Sequence, residues 1–206
     1  MNIENNKDWT GNKNSIFKTL GASNHTEKER QVDDYYATDP IAIDVLIKDG
    51  GVNFNKPIWE CACGEGHLSE RLKQYGYEVL STDLVDRGYG SQTIDFLTYN
   101  KKWNGDIITN PPYKYAKEFI EHAMEIVDEG CRVFMFLKIQ FLEGKARKEL
   151  FKKYPPKCVY VSSSRILCAK NAKFEEMREG GGSAVAYAWY EFGKGYQGET
   201  VLKWIN

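Results

Sequence analysis

No apolar run in this chain approaches the roughly 18 residues needed to cross a membrane, and the opening MNIENNKDWTGNKNS lacks the apolar centre of a signal peptide. Internal repeats and interdomain linkers are missing too, so 206 residues predict one domain large enough to bury a full core. Metal-ligand spacing is absent. The three histidines, His25, His67 and His122, are scattered, and Cys61-Ala62-Cys63 is tighter than the usual spacing of zinc cysteines. The five cysteines (61, 63, 131, 158 and 168) are odd in number and sit largely in strand-like runs. That predicts reduced, structural thiols in a cytoplasmic compartment. No metal is expected.

A large net charge is also lacking: the formal value is −1, which excludes a uniformly basic nucleic-acid binder. Its distribution is uneven. Residues 1–137 carry 15 Lys and Arg against 22 Asp and Glu, whereas residues 138–178 carry 11 against 4. The cationic block includes Lys145, Arg147, Lys152, Lys153, Arg165 and Lys173. It suits a polyanion or a solvated lysine-rich helix equally well.

What is present is alternation. Residues 1–33 are polar and aperiodic, an extension expected to be disordered or to wrap the domain formed by residues 34–206. After Asp39-Pro40, Ile41, Val45 and Leu46 predict one face of a helix that stops at Gly50-Gly51. KPIWE predicts a buried strand, HLSERLKQYG a helix, and YEVLSTDL a strand ending at Asp83. SQTIDFL is a third apolar stretch carrying Asp95-Phe96, and GDIITN is a fourth strand, followed by a helix with Phe119, Ala123, Ile126 and Val127 on one stripe. CRVFMFLKI is a buried strand, residues 144–154 a cationic helix, and KCVYVSSSRILCA, AVAYAWYEFG and ETVLKWIN close the chain as strands. The order predicts an α/β fold: a mostly parallel sheet covered by helices, with an antiparallel C-terminal hairpin at one edge. Trp189 and Tyr190 belong to its core.

Four motifs fall where strands end. Glu60-Cys61-Ala62-Cys63-Gly64-Glu65-Gly66 is a glycine turn, and glycines there let a ligand approach the backbone. Asp83 follows at the spacing of a carboxylate that receives ribose hydroxyls. Ser69 stands where the dinucleotide fingerprint needs a third glycine, which favours a single nucleoside-bearing ligand. Asp95-Phe96 suits an adenine amino group and ring face. Asn110-Pro111-Pro112-Tyr113 ends the fourth strand, because proline cannot donate to a ladder.

In this order the motifs resemble those of S-adenosylmethionine-dependent amino-methyltransferases, and Tyr36-Ala37-Thr38-Asp39-Pro40 resembles the segment that holds the methionine end of that cofactor. The C-terminal AWYEFGKGYQGETVLKWI is similar to the closing hairpin of phage-type DNA adenine-N6 methyltransferases. Cys61 departs from the pattern, standing where a proline is usual, and no target-reading domain is recognisable. The resemblance implies a Rossmann-like fold with a seven-stranded sheet and helices on both faces. S-adenosyl-L-methionine is then the implied cofactor, held by Tyr36, Thr38, Asp39, Glu60, Cys61, Ala62, Gly64, Gly66, Asp83, Asp95, Phe96 and Asn110. It also implies catalysis by Asn110, Pro111, Pro112 and Tyr113 on adenine flipped from duplex DNA.

The chemistry of the motif fits. A planar amino group is a poor nucleophile until the Asn110 amide oxygen and the Pro111 carbonyl accept its N–H bonds, while Tyr113 stacks on the extruded base. Lys138, Lys145, Arg147, Arg165, Lys173 and Phe174 are the expected substrate contacts. An RNA base or a protein glutamine would meet the same chemistry, and a non-catalytic docking protein is the alternative of another class.

Overall fold

Ile58 and Ile108 alternate with Trp59 and Ile107 along two neighbouring strands, so each strand sends apolar side chains to both faces of the sheet. That pattern demands helices on both sides. The computed structural model of the chain describes residues 36–169, 172–179 and 183–206. The polar extension over 1–33 and the Gly180–Gly182 run lie outside the described residues.

In chain order the elements are β1 (Ala37–Thr38), α1 (Ile41–Lys48), β2 (Ile58–Glu60), α2 (His67–Gln74), β3 (Val79–Asp83), β4 (Gln92–Thr93) and β5 (Asp106–Thr109). They continue with α3 (Ala116–Ile126), β6 (Arg132–Lys138), α4 (Lys145–Lys153), β7 (Cys158–Ser162), β8 (Cys168–Ala169), α5 (Phe174–Glu179), β9 (Tyr187–Gly193) and β10 (Val201–Ile205). The main sheet has the order β10-β7-β9-β6-β5-β2-β3-β4. Strands β2 to β6 pair in parallel, and β9 runs antiparallel to both of its neighbours. A separate pair, β1 with β8, places Thr38 opposite Cys168.

The two faces have distinct cores. Trp59, Ile107, Val133, Met135 and Leu137 pack with Phe119, Ile120 and Ala123 of α3. Ile58, Ile108, Phe134 and Phe136 pack with Ile43 and Leu46 of α1 and with Leu68 and Leu72 of α2. Indole nitrogens are satisfied as they are buried: Trp59 Nε1 donates to Thr82 Oγ1 at 2.8 Å, and Trp189 Nε1 to the Ala42 carbonyl at 2.9 Å.

Three details differ from the sequence expectation. The main sheet has eight strands rather than seven, the two-residue β4 forming one edge. The last two strands do not form a direct hairpin. Strand β9 is inserted between β6 and β7, and β10 pairs in parallel with β7. The reason is burial: Tyr187–Phe192 are enclosed on both faces, as a central strand requires, whereas Val201, Leu202 and Trp204 are exposed, as on an edge. Ile41 is 44% exposed, because the buried face of α1 is Ala42, Ile43, Val45 and Leu46. Among the described residues, no helix is long and apolar enough to cross a membrane.

Candidate active site

Connections from β2 run one way, through β3 to β4, and the other way, through β5 to β6. The crevice at the C-terminal ends of β2 and β5 is therefore the point where strand order reverses, the place where open α/β sheets bind ligands. Glu60, Asp83 and Asn110 stand at or just beyond the ends of β2, β3 and β5.

After β2 the chain turns through Gly64 (φ 55°) and Gly66 (φ 83°), both in the left-handed region that glycine adopts without strain. The Gly64 N–H donates to Asp83 Oδ2 at 2.8 Å, and Val85 N–H donates to Oδ1 at 3.0 Å. A carboxylate offers about four acceptor sites, so half-buried Asp83 retains lone pairs for further donors. A Cβ on Gly66 would collide with the ring of Tyr89. Here the second glycine admits a side chain of the protein itself. Cys61 is buried in the core, and Ala62 packs against that core half-buried.

Glu60 is buried, and Ser69 Oγ donates to its Oε2 in a short hydrogen bond. Ser69 Oγ also lies 2.6 Å from Ser81 Oγ. Loss of solvation pushes the Glu60 carboxyl up to about 8 despite the Ser69 hydrogen bond, which opposes the rise. The serine that breaks the dinucleotide fingerprint is thus the partner of this carboxyl.

Asn110 carries the most specific geometry. Its Nδ2 donates to Thr38 Oγ1 at 2.9 Å, to the Tyr36 carbonyl at 3.4 Å and weakly to Cys168 Sγ at 3.9 Å. A backbone carbonyl can only accept, which fixes the nitrogen, and not the oxygen, on this side. The Asn110 Oδ1 atom is buried and has no hydrogen-bond partner among the described residues. Buried polar atoms are nearly always paired, so an orphan acceptor beside Pro111 is an anomaly that a ligand N–H would resolve. Pro111 is buried, and Pro112 (φ −54°, ψ 121°) leads into a short 3-10 turn at Tyr113–Tyr115.

Tyr113 is more enclosed than a free stacking platform would be. Its ring stacks on Tyr187 with centroids 6.0 Å apart, and its hydroxyl donates to Cys168 Sγ at 3.7 Å. Burial raises its phenol well above the ordinary value. Lys138, at the end of β6, holds its ammonium 4.7 Å from the centre of the same ring. Tyr187 continues the stack onto Phe136 at 5.2 Å. Burial pushes the Cys168 thiol up to about 11, so it stays protonated at neutral pH.

Other expected residues lie around this centre. Buried Asp39 accepts from Ile41 N–H at 3.1 Å and pairs with Arg178 of α5. Phe174, at the start of α5, meets His67 edge-on at 5.6 Å. Asp95 is exposed and caps a 3-10 turn by accepting from Leu97 N–H at 3.0 Å. Phe96 departs from the expected ligand face: it is 2% exposed and enclosed by Trp59, Phe119 and His122. Its ring serves the core because Asp95 caps a turn that folds the next residue inward. Lys145 and Arg165 are exposed, and Lys173 pairs with Glu176 at 2.7 Å. The Arg147 guanidinium lies 5.1 Å from the Phe141 ring and donates to the Glu143 carbonyl. Leu142, Gly144, Lys145, Lys148 and Phe151 line a shallow depression of about 660 Å³ at the start of α4.

Sequence reasoning did not single out Cys168, Tyr187 or Tyr89 for this site. The first two arrive through long-range pairing that leaves no local signal. Tyr89 could have been suspected from its place in the loop after Asp83.

No protein-family model matches the chain, and no curated protein matches its sequence. Solved structures do share its fold. One is a candidate hemolysin from Lactococcus lactis (TM-score 0.58, 11% identity, 80% of this chain and 91% of that one). Another is a candidate class I S-adenosylmethionine-dependent methyltransferase from Listeria monocytogenes (TM-score 0.55, 13% identity, 92% of this chain and 71% of that one). A third is a modification subunit of a candidate type I restriction enzyme from Vibrio vulnificus (TM-score 0.53, 12% identity, 91% of this chain and 48% of that one). At these identities the likeness is one of fold, a Rossmann-like α/β architecture with a mostly parallel sheet.

Proposed function

We propose that this protein is an S-adenosylmethionine-dependent methyltransferase acting on a planar amino nitrogen, with the 6-amino group of adenine in DNA as its substrate. The observation that carries this reading is the Asn110 amide. It stands at the reversal point of the sheet with its nitrogen tied down and its buried oxygen lacking a donor.

The residues fit the cofactor by their chemistry. Asp83 has acceptor capacity left for ribose hydroxyls, and the left-handed turn at Gly64 brings backbone close to the same strand end. Glu60, Cys61, Ala62, Asp39 and Asp95 complete the group proposed to surround it. Bound there, the cofactor supplies an electrophilic sulfonium methyl group.

The chain's own part is positioning. Asn110 Oδ1 and the Pro111 carbonyl accept the two N–H bonds of the target amine, which draws the nitrogen out of conjugation and directs its lone pair. Two consecutive prolines hold that carbonyl in one direction, so little entropy is lost when the substrate binds. Tyr113, stiffened by Tyr187, borders the base, and Lys138 beside the ring offers a cation to a neighbouring phosphate. The fold shared with the Listeria methyltransferase is compatible with the cofactor, and the cationic block running from Lys138 through α4 supports a polyanionic substrate.

The test is transfer of labelled methyl from S-adenosylmethionine to duplex DNA, total RNA and a protein lysate, with the DNA product digested to nucleosides. Methyladenine in DNA is the expected product. Label confined to RNA or to glutamine keeps the chemistry and replaces the substrate. Absence of label in all three, with cofactor bound, turns the reading to a docking protein.

A further inference from the structure

The short β1–β8 pair contributes nothing to the main sheet, yet it stands directly against the proposed acceptor. Its register puts Thr38 opposite Cys168, and both side chains reach Asn110. Thr38 Oγ1 accepts from Asn110 Nδ2 at 2.9 Å. The Cys168 sulfur lies 3.9 Å from that nitrogen, 4.0 Å from Thr38 Oγ1 and 3.7 Å from the Tyr113 hydroxyl. Thr38, Cys168, Asn110 and Tyr113 thus form one contiguous polar cluster. Thr38 and Cys168 are buried within it, and so is the Asn110 oxygen.

An asparagine amide has two nearly isosteric orientations that exchange its donor and acceptor ends. Only one of them leaves an acceptor for a substrate amine. The other turns Nδ2 toward the substrate and sets Oδ1 against the Tyr36 carbonyl, two acceptors facing each other. The Tyr36 carbonyl, which can only accept, therefore selects the productive orientation, and the buried Thr38 hydroxyl at 2.9 Å is the closer contact that anchors the nitrogen in it.

We propose that Thr38 and Cys168, brought together by β1 and β8, are positioning residues that anchor the Asn110 amide in the orientation the Tyr36 carbonyl selects, with its oxygen toward the substrate amine. The assignment rests on the reading of Asn110 as that acceptor. It gives Thr38 a different role from the one implied by the methyltransferase resemblance, where this segment holds the methionine end of the cofactor. Thr38 acts through Asn110 and on the rate of transfer. Cys168 is the softer half of the lock, because a thiol is a weak acceptor, but it couples the amide to Tyr113 through one sulfur.

The experiment compares wild type, Thr38→Val, Thr38→Ser, Cys168→Ala and Asn110→Ala in the full chain. Transfer to an adenine-containing oligonucleotide duplex is measured at saturating cofactor, and cofactor affinity is measured separately by calorimetry. Thr38→Val keeps the shape and loses the acceptor. The expected result is a fall in kcat of about tenfold, the size of one net hydrogen bond, with cofactor affinity unchanged. Thr38→Ser restores kcat, and Cys168→Ala lowers it by a smaller factor. A Thr38→Val variant that keeps wild-type kcat but binds cofactor tenfold more weakly overturns the inference and returns Thr38 to the cofactor.

A second readout does not depend on turnover. In proteins labelled with nitrogen-15 at asparagine, the Asn110 side-chain amide is assigned as the signal pair lost in Asn110→Ala. Its protons should exchange slowly with water in wild type and in Thr38→Ser, and markedly faster in Thr38→Val. Equal exchange in all three overturns the inference even in an active enzyme. Slow exchange in a wild type that methylates no substrate refutes the methyltransferase reading instead, and leaves the lock itself standing.

Discussion

The backbone N–H of Gly64 meets the carboxylate of Asp83 at 2.8 Å, so the turn after β2 is latched to the end of β3. The latch ties together two motifs 19 residues apart in sequence. Asp83 therefore holds the shape of the turn as well as offering lone pairs to a ligand.

The first prediction concerns this latch. Asp83→Ala should weaken S-adenosylmethionine by about 10- to 100-fold in calorimetry, since a charged acceptor is removed and the turn is released. Asp83→Asn retains an oxygen for Gly64 and should lose less. An Asp83→Ala variant with wild-type affinity would remove the turn from the cofactor site.

The second prediction addresses Asn110. Asn110→Ala should lower methyl transfer roughly 100-fold while cofactor affinity stays near wild type, because the amide is proposed to touch the amine and not the sulfonium. Turnover within a factor of two of wild type would sink the role of the Asn110–Tyr113 loop.

Much of the fold was legible because its signals are local. The short apolar runs of β2 and β5, the glycine stops and the apolar stripe of α3 each declare an element within its own residues. The positions of Asp83 and Asn110 at strand ends follow from that order. Long-range pairing was not legible. Nothing near Cys168 announces that β8 leaves the main sheet to pair with β1, and nothing in ETVLKWIN shows that it passes β9 to lie on β7. Burial of all of Tyr187–Phe192 makes sense of it, since a strand enclosed on both faces needs two neighbours. Phe96 illustrates the same limit within the site: an Asp-Phe pair at a loop does not reveal that the ring packs against Trp59 and Phe119.

The burial of this ring yields a third prediction. Phe96→Ala should cost about 3–5 kcal/mol of stability, as for other large core deletions, because Trp59 and Phe119 would no longer have a ring to pack against. Phe96→Leu, which fills most of the space, should leave cofactor affinity unchanged. A selective loss of affinity in the folded leucine variant would restore the ring to the binding site.

The cationic helix supplies a fourth. In α4, Lys152 pairs with Glu149 and Arg147 is held by Phe141 and Glu143, whereas Lys145 and Lys148 are exposed beside the depression that these lysines and Lys152 line. If these two lysines meet phosphates, Lys145→Glu with Lys148→Glu should weaken duplex binding. The slope of log K against log salt should also become shallower by about 2, near 0.9 for each phosphate that is no longer neutralised. Cofactor affinity should not change. An unaltered slope would assign the charge to a solvated helix face.

The last prediction comes from Glu60. Burial raises this carboxyl to about 8 in the folded chain, whereas in the unfolded chain it titrates near the ordinary value of about 4.3. Between those values the folded state holds a proton that the unfolded state has released, so stability falls as pH rises. The contribution is fully present below the unfolded value and is lost on the way up through the folded one. The slope is at most about 1.4 kcal/mol per pH unit. Ser69→Ala removes a donor that favours the charged carboxylate, which pushes the folded value higher still and extends the loss toward higher pH. Glu60→Gln has the same shape and no titration. Urea unfolding from roughly pH 5 to pH 8 should therefore show a declining stability in wild type that is flattened in Glu60→Gln. Identical slopes in the two proteins would mean that Glu60 is ionised in the folded state. The carboxylate would then stand at the glycine turn as a second negative charge near Asp83.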